Sequence, residues 1–235
     1  MTPTQRLHQK TTMKNKQSLL FNEKNLQKIK KHTKTTTIIA VTKTQPTQAA
    51  EEALLHNITN IGENKIQEIE QKYINFKQRK KITLHMIGHL QSNKIKKAVK
   101  LVDVIQTVEN IKTISKIQKE AKKINKTQKI FLQINIGKDP NKKGISKEEV
   151  PTYCEHIINA TNIELIGVMV ILPQRTSDQK SLNFYLETKQ IQKDIKKKIK
   201  TCKETSMGMS NDFKLAVKAG ATQVRIGTML FGKRK

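Results

Sequence analysis

Tryptophan is absent from the 235 residues, and aromatic residues make up only 4%. The core must therefore be aliphatic, assembled chiefly from Ile, Leu and Val. Cysteine occurs twice, at Cys154 and Cys202, with no C-x-x-C spacing. That removes the usual zinc frameworks and leaves two free thiols suited to a reducing, cytoplasmic setting. No apolar run approaches the roughly 20 residues that a bilayer-spanning helix needs. The N-terminus lacks an apolar signal segment; Met1 to Gln17 are polar and basic and read as a frayed tail. Acidic residues are scarce, with Asp+Glu 19 against Lys+Arg 46, a net charge of +27. Such a balance points to nucleic acid or an anionic membrane, or else to a composition that fills surfaces with lysine. The lysines run through every expected helix, with almost no aromatic residue among them to stack on bases. The expectation is therefore no membrane partner, no specific nucleic-acid partner, and weak non-specific adhesion to polyanions.

What is present is a repeated alternation of short β-rich runs and longer stretches of helical spacing. The β-rich runs are Thr36 to Val41, Ile58 to Ile61, Ile82 to Ile87, Val102 to Val108, Lys129 to Ile136, Glu164 to Leu172, Glu204 to Met207 and Gln223 to Met229. Helical patterns follow each of the first seven, for example Lys65 to Phe76, Ser92 through Val99 and Asp178 to Ile199. About eight strand-then-helix units predict a single-domain α/β fold, a (β/α)8 TIM barrel over residues 36–235. An N-terminal segment, 1–35, precedes it and carries a helix around Asn22 to His32 that would pack on the barrel. A doubly wound open sheet competes, but it more often uses five or six strands, and no G-x-G-x-x-G follows the first run.

In a parallel barrel the chemistry sits at the C-terminal ends of the strands. The first strand ends Ala40-Val41-Thr42-Lys43-Thr44. A lysine that closes an apolar strand is a candidate Schiff-base amine, because burial frees it of its proton; in a lysine-rich chain it is also often an accident. The seventh strand ends Ser206-Met207-Gly208-Met209-Ser210-Asn211-Asp212, and the eighth ends Arg225-Ile226-Gly227-Thr228. Glycine- and hydroxyl-rich turns at these two strand ends are where barrels commonly build phosphate sites, although each turn alone reads equally well as an ordinary cap. Arg225 lies inside an apolar strand, either as half of an interior salt bridge or as a fixed cation facing a pyridine nitrogen. His85 and His89, at the end of the third strand, are possible bases.

Taken in order, these segments resemble the pyridoxal phosphate homeostasis proteins. The resemblance runs from about Thr36 to Lys233. It rests on Ala40–Thr44, on Ile61-Gly62-Glu63-Asn64 with Gln67-Glu68, and on His85 to Lys94. Asn135, Lys142 and Gly144-Ile145 add to it, as do Ser206–Asp212 and Val224–Thr228 with Phe231-Gly232. It implies a fold-type III barrel like the N-terminal domain of alanine racemase, with pyridoxal 5′-phosphate as cofactor. Lys43 would carry the Schiff base, Ser206, Ser210, Gly227 and Thr228 would hold the phosphate, Arg225 would face the pyridine nitrogen, and Asn64 would lie near the ring. The implied role is a cytoplasmic, monomeric carrier or buffer of the cofactor without a defined reaction, serving apo enzymes that need it. A racemase-like enzyme is the alternative; against it, the chain stops at Lys235 without a second domain to supply an opposing base. There are departures: Gln45 stands where the family often has a second lysine, Met86 where it has Phe, and Asp139-Pro140 where it has Glu.

Overall fold

The computed structural model describes residues 20–140, 142–174 and 176–232; the expected tail and Lys233 lie outside them. Eight parallel strands close into one barrel in sequence order. They are β1 (Thr37–Val41), β2 (Asn60–Glu63), β3 (Thr83–Met86), β4 (Val104–Val108), β5 (Gln128–Ile134), β6 (Ile163–Val170), β7 (Glu204–Met209) and β8 (Gln223–Ile226). Around them run α1 (Glu23–His32), α2 (Gln48–Leu55), α3 (Ile66–Tyr73), α4 (Ile95–Leu101), α5 (Ile111–Lys122), α6 (Val150–Ile158), α7 (Asp178–Lys198), α8 (Phe213–Lys218) and the short α9 (Thr228–Phe231).

Two expected elements differ in detail. The stretch from Ser92 begins as a 3-10 turn, Ser92–Lys94, before α4 takes over. The eighth strand ends at Ile226, because the chain turns at Gly227 directly into α9.

The main core is the aliphatic layer between strands and helices, where Ile61, Leu84, Ile105 and Ile130 of the sheet pack under helix residues such as Ile69, Ile95 and Ile117. Burial of this kind contributes roughly 1.5–3 kcal/mol per large side chain. Helix α1 belongs to the same layer through Leu26 and Ile29. It sits between the end of α2, where Lys30 Nζ donates to the His56 carbonyl, and α8, where His32 meets the edge of Phe213. The Asn22 side chain caps α1 by accepting the Asn25 N–H at 2.9 Å. The Asn22 backbone N–H and Asn25 Nδ2 in turn donate to the carbonyls of Leu230 and Met229 in α9. The N-terminal helix thus fills the place in the outer ring that a helix after β8 would take.

Inside the barrel the side chains divide. Val104, Phe131 and Met169 form a separate apolar cluster. The other side of the interior is polar, with His85, Gln106, Ser206, Gln223 and Arg225 all buried.

Candidate functional site

The strand order places the first and last strands side by side. β1 pairs with β8, aligning Ile39 with Arg225 and Ala40 with Ile226, and β7 pairs with β8 on the other side. β1 also pairs with β2, aligning Val41 with Gly62. Reading around the mouth from β7 to β2, the strand ends deliver Ser210, Gly227 with Thr228, Lys43 and Asn64. Four neighbouring strands therefore bring together the residues that the sequence singles out at four separate places.

Lys43 is half-buried and occupies the second position of a tight turn after β1. The Gln45 N–H donates to the Thr42 carbonyl at 3.0 Å, and Thr44 takes the left-handed conformation, φ 63°. A β-branched residue there costs about 1–3 kcal/mol, so the surroundings must impose it. They do so through α3. The Thr44 N–H donates to Glu68 Oε1 at 2.5 Å, and Lys72 Nζ donates to Glu68, to the Thr42 carbonyl and to Glu63, at 2.6, 2.8 and 3.0 Å. All three ammonium protons of Lys72 are thereby used. Glu63, fully buried, also accepts from the hydroxyls of Thr42 and Tyr73 at 2.7 and 3.0 Å. Burial pushes its carboxyl above the usual carboxylate range, against the pull of Lys72. This bracket behind Lys43 has a sequence signal, two acids and a lysine in Glu63-Asn64-Lys65-Ile66-Gln67-Glu68 and Lys72, but their meeting with Thr42 is not visible there.

On the phosphate side, Asp212 shapes the turn after β7. Its carboxylate accepts the Met209 N–H at 2.6 Å and the Tyr185 hydroxyl at 2.8 Å. The two turns touch where the Met229 N–H donates to Ser210 Oγ at 3.4 Å. Gly208 is required by the chain itself: its φ is +87°, and a Cβ would come within 2.5 Å of the Ala216 Cβ. Gly227 is different. A Cβ there would meet nothing nearer than the Val41 side chain at 3.4 Å, and its φ of −116° suits any residue. Neither backbone nor packing demands a glycine, which leaves an open cradle beside the end of β1. Of the first N–H groups of α9, that of Met229 donates to Ser210 and those of Leu230 and Phe231 to the Gly227 carbonyl, which leaves that of Thr228 at the cradle.

Ser206 lies elsewhere. The register between β7 and β8 slips between Ser206 and Met209, and this irregularity separates Ser206 from the rim that Ser210 occupies. Ser206 is fully buried inside the barrel, where its hydroxyl donates to Gln106 Oε1 at 2.7 Å. The hydroxyl is thus committed to the interior, apart from the other residues expected to hold the phosphate. Arg225 is its other partner. Nη1 donates to the Ser206 carbonyl and Oγ, each at 2.7 Å, and Nη2 donates to the Val170 carbonyl at 2.8 Å. Among the described residues Arg225 makes no ion pair, so the salt-bridge alternative fails. Desolvation lowers its pKa to about 10, which leaves the guanidinium charged at neutral pH.

Arginine can only donate, and the interior network runs on from it in one sense. Ser206 accepts from Arg225 and donates to Gln106. Gln106 Nε2 donates to His85 Nδ1 at 3.0 Å and to Gln223 Oε1 at 3.1 Å. His85 is therefore the Nε2–H tautomer, donating to Asn60 Oδ1 at 3.0 Å. Burial pulls its pKa down to about 4. With both nitrogens bonded and the ring sealed, His85 cannot act as a base at the mouth. His89 is half-exposed and pairs with Glu109 at 3.2 Å. It lines, with Asn64, Lys65 and Lys94, a cleft of about 640 Å³.

The family model for the alanine racemase N-terminal domain matches residues 22–235. A pyridoxal phosphate homeostasis protein of Synechocystis is 35% identical over 198 residues, 84% of this chain and 91% of the relative. The chain belongs to this family. The human pyridoxal phosphate homeostasis protein is 33% identical over 84% of this chain and 76% of its own length. Among solved structures of the family, PipY of Synechococcus elongatus without PLP superposes with a TM-score of 0.84 at 29% identity, covering 89% of this chain and 99% of PipY. PipY with PLP bound gives 0.79 at 28% identity over the same shares. Alanine racemase of Clostridium difficile shares the fold, with a TM-score of 0.74 at 15% identity, 88% of this chain and 58% of the racemase. Homeostasis-family membership thus agrees with the closed barrel and with the strand-end motifs.

Proposed function

We propose that this chain binds pyridoxal 5′-phosphate at the mouth of its barrel and serves in the homeostasis of that cofactor, as a carrier or buffer. The observation that carries the reading is the arc of Ser210, Gly227–Thr228, Lys43 and Asn64 on four adjacent strands. The names of the relatives, and the PipY structure with PLP bound, support it. When bound, the cofactor supplies an aldehyde carbon that an amine can hold and a pyridine ring that withdraws electrons.

The residues present fit that group. Ser210, Thr228 and the open cradle at Gly227 offer hydroxyl and N–H donors to a phosphate, and the nearby Asp212 carboxylate is already occupied by Met209 and Tyr185. Lys43 would hold the aldehyde carbon covalently, aimed by the turn that Glu68 and Lys72 brace. Arg225, anchored through Ser206 and Val170, keeps Nε–H as a donor for the pyridine nitrogen. A guanidinium cannot give that nitrogen a proton, so the ring stays a weak electron sink, which favours carrying over turnover. In this reading Ser206 works through Arg225 and not on the phosphate.

All four strands of the arc come from one chain, which supports a monomer; apo enzymes that use the cofactor are the recipients. Cys154 and Cys202 are buried free thiols, in keeping with a cytoplasmic protein. An absorption spectrum of the purified protein tests the proposal: a visible band that borohydride bleaches is expected, and a colourless protein that gains no band with added cofactor overturns it. Incubation with L-alanine separates carrier from enzyme. Formation of D-alanine near 1 s⁻¹, the low edge of the roughly 1–10³ s⁻¹ typical of enzymes, would favour a racemase.

A further inference from the structure

In a barrel of parallel strands every helix returns to the same face, so the helix C-termini and the helix-to-strand connections all gather opposite the mouth. That face has a composition of its own. The eight helix-to-strand connections hold nine lysines or arginines, four of them in residues 74–82, and a single acid, Asp103. The strand-to-helix connections at the mouth hold eight basic and five acidic residues. The basic residues are shared almost evenly, nine against eight, but the acids are not, one against five, so the net positive charge collects opposite the mouth. Preference for cations at helix C-termini accounts for one or two per helix, such as Lys100 and Lys218, but not for the connections. The densest stretch is the end of α7 and the segment after it. Lys193, Lys196, Lys197, Lys198, Lys200 and Lys203 are all exposed there, and Asp194 pairs with Lys197.

The same face carries apolar side chains that no neighbour covers. Six large hydrophobic residues are conspicuously exposed among the described residues. Four of them close helices on this face: Leu55 at the end of α2, 76% exposed; Ile74 just after α3, 62%; Ile124 just after α5, 50%; and Ile158 at the end of α6, 55%. Met209 is at the mouth, and Leu186 is midway along α7. Isolated exposed aliphatic residues are ordinary; four that protrude from one face, in a field of lysines, are a pattern.

We propose that this face docks on the surface of an anionic bilayer, with the lysines among lipid headgroups and Leu55, Ile74, Ile124 and Ile158 dipping into the interface. Cations beside protruding aliphatic residues are what such a surface selects. A nucleic-acid duplex would use the lysines but would leave the four aliphatic side chains against phosphates. Single strands would need aromatic platforms, and no exposed aromatic residue exists among the described residues. Docked this way, the barrel turns its mouth to the aqueous side, so attachment and cofactor binding do not compete. The proposal departs from the expectation of no membrane partner and is one of peripheral attachment; among the described residues no helix is long and apolar enough to cross a membrane.

Flotation of the full chain with vesicles tests the docking. Binding to an equal mixture of phosphatidylcholine and phosphatidylglycerol is expected to be roughly tenfold or more tighter than to phosphatidylcholine alone, and to weaken as salt is raised. Two variants address the face itself, one with Leu55→Ser, Ile74→Ser, Ile124→Ser and Ile158→Ser, the other with Lys80→Glu, Lys81→Glu, Lys123→Glu and Lys200→Glu. Each should lose most of the binding with its circular dichroism spectrum unchanged; if one fails to fold, the other decides. Equal binding to neutral vesicles, or anionic binding untouched in a folded variant, overturns the proposal. So does release from anionic vesicles by a short RNA duplex at matched phosphate concentration.

Discussion

Along β4, Ile105 faces outward into the aliphatic layer beneath the helices, and its neighbour Gln106 faces inward to His85, Gln223 and Ser206. The two faces of one strand obey different rules. Outside, an Ile can be exchanged for another aliphatic residue of similar volume at small cost, because packing has no direction. Inside, each group must be donor or acceptor in the right order, because a bond between polar groups has a direction. The outer layer accounts for the stability of the barrel. The inner network fixes the Arg225 guanidinium between Ser206 and Val170.

The sharpest break between the two is expected at the rim itself. Lys43→Ala should abolish borohydride fixation of the cofactor entirely, measured by mass spectrometry, with little change in the unfolding midpoint. A retained adduct would show that another amine serves. In the outer layer, Leu84→Ala should lower stability by about 2–5 kcal/mol in urea titration, leaving the cofactor spectrum of the folded protein unaltered.

Acid attacks the inner network specifically. His85 has its pKa lowered to about 4 in the folded protein, against the ordinary 6.5. Between those values the unfolded chain binds the extra proton, so stability is full above pH 6.5 and falls as pH drops toward 4, by roughly 3 kcal/mol in all. Glu63, whose carboxyl is raised, contributes with the opposite sign. The measurement is therefore the difference in pH dependence between the natural chain and His85→Gln, which should flatten the curve. Smaller still is the contrast between two hydroxyls. Thr228→Val should weaken cofactor affinity by roughly 1–3 kcal/mol, read by fluorescence titration. Ser206→Ala should leave competition by inorganic phosphate unchanged and shift the absorption of the bound cofactor instead.

Strand count, barrel closure and the positions of Lys43, Asn64, Ser210, Gly227 and Thr228 were legible because each depends on local pattern: apolar runs, turn residues and the rule that parallel barrels work at one end. Ser206 is set apart from Ser210 for a physical reason. It shares a short motif with Ser210, but the register slip beyond it leaves one hydroxyl inside and the other at the rim. The interior network was illegible altogether. Ser206 and Gln106 are 100 residues apart, and Gln106 and Gln223 are 117 apart. A glutamine in the middle of a strand says nothing about whom it will meet across a barrel. His85 was equally ambiguous, since a strand-end histidine looks the same in sequence whether it opens to solvent or is sealed within.

The pairing of β1 with β8 has a consequence for how the protein is made. Half of the arc lies at residues 43–64 and half at residues 210–228, so a growing polypeptide has no cofactor site until that second half has been made. Helix α1, made before the whole barrel, must likewise wait for α9 before Asn22 and Asn25 find their acceptors. A molecule gripped at once by Lys43, Gly227 and Thr228 would act as a clasp across the two ends. It would bind only the finished barrel, resist its reopening, and raise the midpoint of thermal unfolding in proportion to the logarithm of its concentration.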